Sequence, residues 1–370
     1  ARDNPKPEIL NTVLRVVAGV MMQEDESRDY PSVQRVFAAS HELLALADAV
    51  HSSTQLDPSP ARLRSMMASL HVRNGALAAA RPMFEQSLRE EPSLVGYSSL
   101  AAVLLQTGDT AGALEAVHQG LRAPNARELP TARAEAHLLA FQAHRAQGAR
   151  HEAQQDLAHA LQDALDARAQ ARGDLGHASA DRILARLAYH YGDLKAWQRA
   201  VDRMLERVNL DARVLSMTLI EATSMGLLNH DLRTVHRVLD ETIAAADPQD
   251  VVYASLWVLL AERAVGDNHD DAVKRALSAI DASHGWVYHL ARYGLEEIGD
   301  DALRKKAKNL VERAEAEFYI AMRKRVTGES TGDEELRNLA GGPAIDLVET
   351  HLARELTQPQ TWGPPPKPLP

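Results

Sequence analysis

The sequence contains no cysteine. A disulfide framework, a thiolate zinc site, an iron–sulfur cluster and a cysteine nucleophile are thereby excluded. Aromatic residues supply only 4% of the chain, while Ala, Leu and Arg dominate, a balance that favours helices over sheets. Long apolar runs are missing too: nothing approaches the ~18 residues that a membrane span needs. The nearest stretch, Val13 to Met22, is interrupted by Arg15, preceded by Asp3 and Glu8 and followed by the acidic residues Glu24 to Glu26. That context reads as a buried helix and not as an export signal. Positive charge is also short, with 41 Lys and Arg against 51 Asp and Glu, a net charge of −10. Such a surface repels phosphate backbones overall, so nucleic acid is not expected as a partner.

What is present is self-similarity at a period near 34 residues, in a chain of 370 residues that suits either two or three compact domains or one elongated repeat array. In the first unit Leu63, Met66, Met67 and Leu70 fall at helical spacing, a break follows at Asn74-Gly75, and a second amphipathic helix carries Ala80, Phe84 and Leu88 before Pro92. The second unit repeats the plan with Tyr97, Leu100, Ala101 and Leu104, the turn Gly108-Asp109, then Ala113, Val117 and Leu121. Four looser copies follow, turning at Gly148, at Gly192-Asp193, near Asn229-His230 and at Gly266-Asp267. Glycine suits these turns because a residue ending a helix often needs positive φ. A hairpin of ~34 residues cannot cover its own apolar face, so each must stack on a neighbour.

These residues resemble the tetratricopeptide repeat. The first unit supplies Met67, Ala68, His71, Gly75, Ala80, Phe84, Ser87 and Pro92 at that family's signature positions, although its usual helix-A Trp is missing throughout. The resemblance implies an all-α fold, a right-handed superhelical solenoid of antiparallel helix pairs. The expected organisation is N-terminal helices forming a divergent repeat or cap over 1–59, about six repeats over 60–281 and capping helices over 282–327. A linker with one short helix from Ala344 follows over 328–357, and a Pro-rich extended tail over 358–370. Within this scheme residues 6–22, 30–54, 286–298 and 301–326 read as helices.

The same resemblance implies a concave groove lined from helix A of each unit. Carried onto this chain, those positions give Arg62, Ser65, Ser69 and Arg73 in the first unit, and Gln106 in the second. Gln142 and Arg145 follow in the third, and Arg182, Arg186, Tyr189 and His190 in the fourth. Ser65 and Ser69 stand where the chaperone-binding subclass begins its Lys/Asn carboxylate clamp, so chaperone tails are not expected ligands. Arg182 and Arg186 share a helix face with Tyr189 nearby, a set that would hold an acidic partner segment through forked hydrogen bonds. The competing expectation is that these arginines pair with Asp181, Asp193 or other acids of the chain. The tail, with Trp362 followed by Pro364, Pro365 and Pro366, reads either as a linker or as a docking peptide pre-ordered in polyproline II form.

Catalytic motifs do not survive their context. Gly328-Glu329-Ser330-Thr331-Gly332 matches the nucleophile-elbow pattern, but it follows the basic helical end at Arg323 to Arg325 instead of a strand. Among 16 histidines the pairs His137/His144, His151/His159 and His284/His289 lack the His-Glu-x-x-His spacing, so neither metal nor cofactor is expected. The acidic run Asp267 to Asp271 has Ala272 where a calcium loop needs Gly, and reads as a helix cap. The expectation is therefore a non-enzymatic scaffold or adaptor that binds partner proteins through its groove and its tail. The alternative is a regulatory sensor holding a small anion or peptide in the groove. Absence of cysteine favours a bacterial periplasmic or envelope setting over the cytoplasm, with a lipid anchor upstream of Ala1 as in a processed lipoprotein.

Overall fold

The computed structural model describes residues 12–16, 40–49, 56–266, 271–358, 362, 364–367 and 369–370. Among these residues every regular element is a helix. Helical segments at 12–16 and 40–49 come first. The remaining stretches of 6–22 and 30–54, and the cap expected at Asp267 or Asn268, lie outside the described residues. The chain is all-α, its helices packed in adjacent pairs, and it divides into two compact units. The division falls between Glu128 and Leu129, inside the stretch 60–281 that the repeat pattern treats as one array.

The first unit is built on α1 (Pro60–Arg73), α2 (Leu77–Glu90), α3 (Leu94–Gln106) and α4 (Thr110–Leu121). α1 packs on α2, α2 on α3 and α3 on α4. Residues 142–149 and 343–345 also belong to this unit. Its small residues are where close helix approach requires them: Ala68, Ala80, Ala101 and Ala113 are buried, and so is Phe84. A separate apolar cluster joins Leu63, Met67 and Leu70 to Leu14, Leu43, Leu44 and Ala47, so the N-terminal helical segments cover the outer side of α1.

The second unit contains residues 130–141 of α5 (Pro130–Ala146) together with α6 (Arg150–Gln170), α7 (Gly173–Tyr191), α8 (Leu194–Leu205), α9 (Ala212–Asn229) and α10 (Leu232–Thr242). It continues through α11 (Pro248–Val265), α12 (Asp271–Ser278), α13 (Trp286–Gly294), α14 (Asp300–Lys306), α15 (Leu310–Val326), α16 (Gly332–Ala340) and α17 (Val348–Leu356). Trp197, Trp257, Phe318 and Tyr319 are among the largest side chains taken wholly out of water in its core.

Three of the turns owe their shape to two neighbouring residues with different tasks. Gly108 and Gly192 leave the helix at φ 83° and 71°, a left-handed conformation that costs a residue with a Cβ of the order of 1 kcal/mol. The next residue caps the following helix: the Asp109 side chain accepts from the Gly112 amide and that of Asp193 from the Ala196 amide, satisfying donors the helix leaves bare. In the fifth unit His230 takes the left-handed position at φ 54° and Asp231 caps α10. The turn therefore keeps its geometry where the glycine signal is lost.

The region after 282 departs from expectation. The expected helix over 301–326 is broken into α14 and α15, because Asn309 turns the chain and caps α15 by accepting from the Glu312 amide at 2.9 Å. The helix from Trp286 ends at Gly294 instead of running to 298, and the final helix starts at Val348 instead of Ala344. The stretch read as linker contains α16, whose Leu336 is fully buried. Gly332 explains how α16 begins: a Cβ there would stand 2.6 Å from the Arg325 amide nitrogen and 2.7 Å from the Ala321 carbonyl, so only glycine lets α16 start against the backbone of α15. The acidic first turn of α16 then meets the basic end of α15, with Lys324 on Glu335 at 2.5 Å and Arg325 on Asp333 at 2.9 Å.

Candidate functional site

Four of the groove positions converge. Arg62, Ser65, Ser69 and Arg73, spaced along one face of α1, line a single open cavity of about 580 Å³ in the first unit. Met66, Leu70 and Val95 give this cavity an apolar wall, Val95 with 57% of its surface exposed. More of the lining comes from the start of α3, where Ser93 accepts from the Gly96 amide at 3.2 Å and Asn125 accepts from the Leu94 amide at 3.2 Å. Glu91 supplies one carboxylate, held by the Ser59 hydroxyl at 2.6 Å. Arg62 stands 3.9 Å from Asp57, with both side chains largely in solvent. Such exposed pairs are weak, so an incoming carboxylate can compete for this guanidinium. Gln106, Gln142 and Arg145 are half-buried and do not line this cavity.

In the second unit the expected arginine pair serves the chain itself. Arg182 donates to Glu135 at 2.7 Å. Arg186 on α7 grips Glu221 on α9 in forked fashion, at 2.8 and 2.7 Å. Burial alone would raise the Glu221 carboxyl, but Arg186, with Arg182 and His351 behind it, holds it below the usual carboxylate range. His351 on α17 is lowered too, to about 4, first by burial and then by the nearby Arg186 and Arg354. The acids engaged are thus Glu135 and Glu221 and not the sequence neighbours named beforehand: Asp181 takes Arg203 at 2.7 Å, and Asp193 caps α8. Tyr189 and His190 are buried, at 5% and 4% exposure, and His190 packs between the rings of Tyr189 and Phe141.

The described residues of the Pro-rich tail lie on the second unit. The Trp362 amide donates to the His190 carbonyl at 3.2 Å, and the Trp362 carbonyl accepts from Gln154 at 2.8 Å. Its ring meets Phe141 edge-on, with centroids 5.2 Å apart. Further along, Lys367 donates to Gln162 at 2.6 Å, the Leu369 carbonyl accepts from Arg199 at 3.0 Å, and the Leu369 side chain is buried. Pro364 and Pro366 face solvent and Pro365 is half-buried, so Trp362 and Leu369 anchor the segment while the prolines space them.

Residue spacing within single helices did not expose a further grouping. His137 on α5 and His159 on α6 stand with ring centroids 5.1 Å apart, and Asp156 joins them. Beneath lies Asp163, held by Arg133 at 2.5 Å, and burial raises its carboxyl despite that arginine. The available sequence signal was Asp156 and His159 three residues apart on one helix face, a spacing that aims both side chains the same way.

No protein family and no curated protein matches the chain. Among solved structures it is similar to one described as a circular tandem repeat protein with novel repeat topology and enhanced subunit contact surfaces. That likeness has 18% identity over 95% of each chain and a TM-score of 0.20. So low a score carries no argument, and the all-α, paired-helix assignment stands on the helices themselves.

Proposed function

We propose that the chain is a non-catalytic scaffold of the tetratricopeptide-like kind, which holds a peptide segment of a partner protein in the cavity of its first unit. The observation that carries this reading is the convergence of Arg62, Ser65, Ser69 and Arg73 on one open cavity. Its chemistry selects a particular ligand. Met66, Leu70 and Val95 offer contact for one apolar side chain, while Arg62 and Arg73 offer charged donors for a carboxylate beside it. Paired helices joined by repeated left-handed turns support a binding scaffold, since stacking hairpins leaves the helix-A faces available along the array. The tail supports the same mode in the second unit, where helix side chains hold an extended segment by its carbonyls.

The test is selection of displayed random peptides on the full chain, followed by fluorescence polarisation with the selected peptides. Enriched sequences should pair an apolar residue with Asp or Glu, and the double change Arg62→Ala, Arg73→Ala should weaken binding at least tenfold. Equal affinity for the variant, or enrichment without acidic residues, overturns the proposal.

A further inference from the structure

We infer that His137, Asp156 and His159 form a binding site for one divalent transition-metal ion, with Zn²⁺ the match to its ligand chemistry. One ring nitrogen from each histidine and one carboxylate oxygen of Asp156 all lie within 4.8 Å of one another. Tetrahedral bonds of about 2.0–2.2 Å place such ligand atoms about 3.3 Å apart. Reaching an ion from that separation asks the three side chains to turn toward one another. Two elements supply them: α6 aims Asp156 and His159 from successive positions on one face, and α5 brings His137 across from the opposite side.

Charge supports the same assignment. Asp156 and Asp163 are both buried, at 9% and 2% exposure, and Arg133 reaches Asp163. A bound dication would place positive charge beside both carboxylates where solvent screening is weak. Asp163 also stands 3.5 Å from Nε2 of His137, the relation in which a carboxylate orients a metal-binding imidazole. Two imidazoles with one carboxylate favour zinc-like ions over Ca²⁺ or Mg²⁺, which take oxygen ligands. Burial grades outward from Asp156 through half-buried His137 to exposed His159, so a hydrated ion reaches the site from solvent and a water completes its shell there. Bound in this way, the ion clasps α5 to α6.

The test uses the full chain, stripped with EDTA and titrated with Zn²⁺ alone by calorimetry and with Co²⁺ alone by visible absorption. One ion per chain should bind with a dissociation constant in the micromolar range or tighter, raise the melting temperature reversibly to EDTA, and give the intense d–d bands of four-coordinate cobalt. His137→Gln and Asp156→Asn should each weaken Zn²⁺ binding at least tenfold, whereas His151→Gln, exposed on the same helix, should leave it unchanged. Should Asp156→Asn fail to fold by circular dichroism, His159→Gln at the exposed edge carries the test with the same tenfold expectation. Wild-type affinity in the His137 and His159 variants would assign any binding to scattered surface histidines and overturn the site. So would a six-coordinate cobalt spectrum.

Discussion

Replacing Arg186 by Met asks whether this arginine serves the fold or waits for a partner. The substitution keeps most of the aliphatic stem and removes the fork that holds Glu221. Breaking a buried ion pair by deleting one member costs about 3–5 kcal/mol, because the survivor is left charged and desolvated. Here Glu221 keeps only 5% exposure while Arg186 keeps 33%, so solvent already screens part of the pair. Allowing for that screening and for the residual field of Arg182, the loss should be roughly 2–3 kcal/mol. At about 2–4 °C per kcal/mol for a domain of this size, the melting temperature should fall by roughly 5–10 °C. The double variant Arg186→Met, Glu221→Leu removes the stranded charge and should return to within about 1 kcal/mol of the parent.

Acid gives a second reading of the same pair. In the parent, the lowered Glu221 pKa contributes stability above its unfolded value that is lost as pH falls. In the single variant burial dominates and raises that pKa, so protonation relieves the strain. The gap between the two proteins should narrow as pH drops from about 7 to about 5. Urea unfolding at both pH values measures it. A single variant as stable as the parent, or a double variant no better than the single, would refute the reasoning and return Arg186 to the candidate partner-binding residues.

Two further outcomes are expected. His351 titrates near 4 in the fold against 6.5 when unfolded, so the unfolded chain binds the extra proton first as pH falls. Stability should therefore drop between about pH 6.5 and pH 4 by at most roughly 3 kcal/mol, and His351→Gln should flatten that limb of the urea-derived profile. Trp362→Ala removes an edge-on aromatic contact worth about 0.5–1.5 kcal/mol beyond its buried area. Limited proteolysis should then cut the tail faster while circular dichroism stays unchanged; equal cutting rates would show that Leu369 and the polar contacts hold the segment without the indole.

The helix pairs were legible because each is specified locally. Apolar spacing marks the helices, and a left-handed residue followed by a capping carboxylate marks the turns at Gly108-Asp109 and Gly192-Asp193. The start of α16 was not legible: Gly328 to Gly332 looks like linker because its purpose is a close approach to α15, which is a tertiary matter. The candidate site divides in the same way. Arg62, Ser65, Ser69 and Arg73 share one helix, and the resemblance to the tetratricopeptide repeat implied them together as lining. The partners of Arg182 and Arg186 lie on other helices, and no pattern internal to α7 names Glu135 or Glu221. His137 and His159 meet for the same reason, by helix packing that spacing within one helix does not register.

The late helices of the second unit bear on how this chain could be shortened. In an ideal repeat array each hairpin touches only its neighbours, so an end unit can be trimmed and the remainder stays whole. Here α17 reaches back to α9 and α15 to α11. Glu315 on α15 accepts from Tyr253 on α11 at 3.0 Å, and Glu349 on α17 accepts from the Tyr319 hydroxyl of α15 at 2.9 Å. Truncation after α14 would leave the Tyr253 hydroxyl and the indole of Trp286 without their shared acceptor, far upstream of the cut. Helices from 248 to 356 thus form a clasped knot, whose loss should be abrupt instead of graded by the number of hairpins removed.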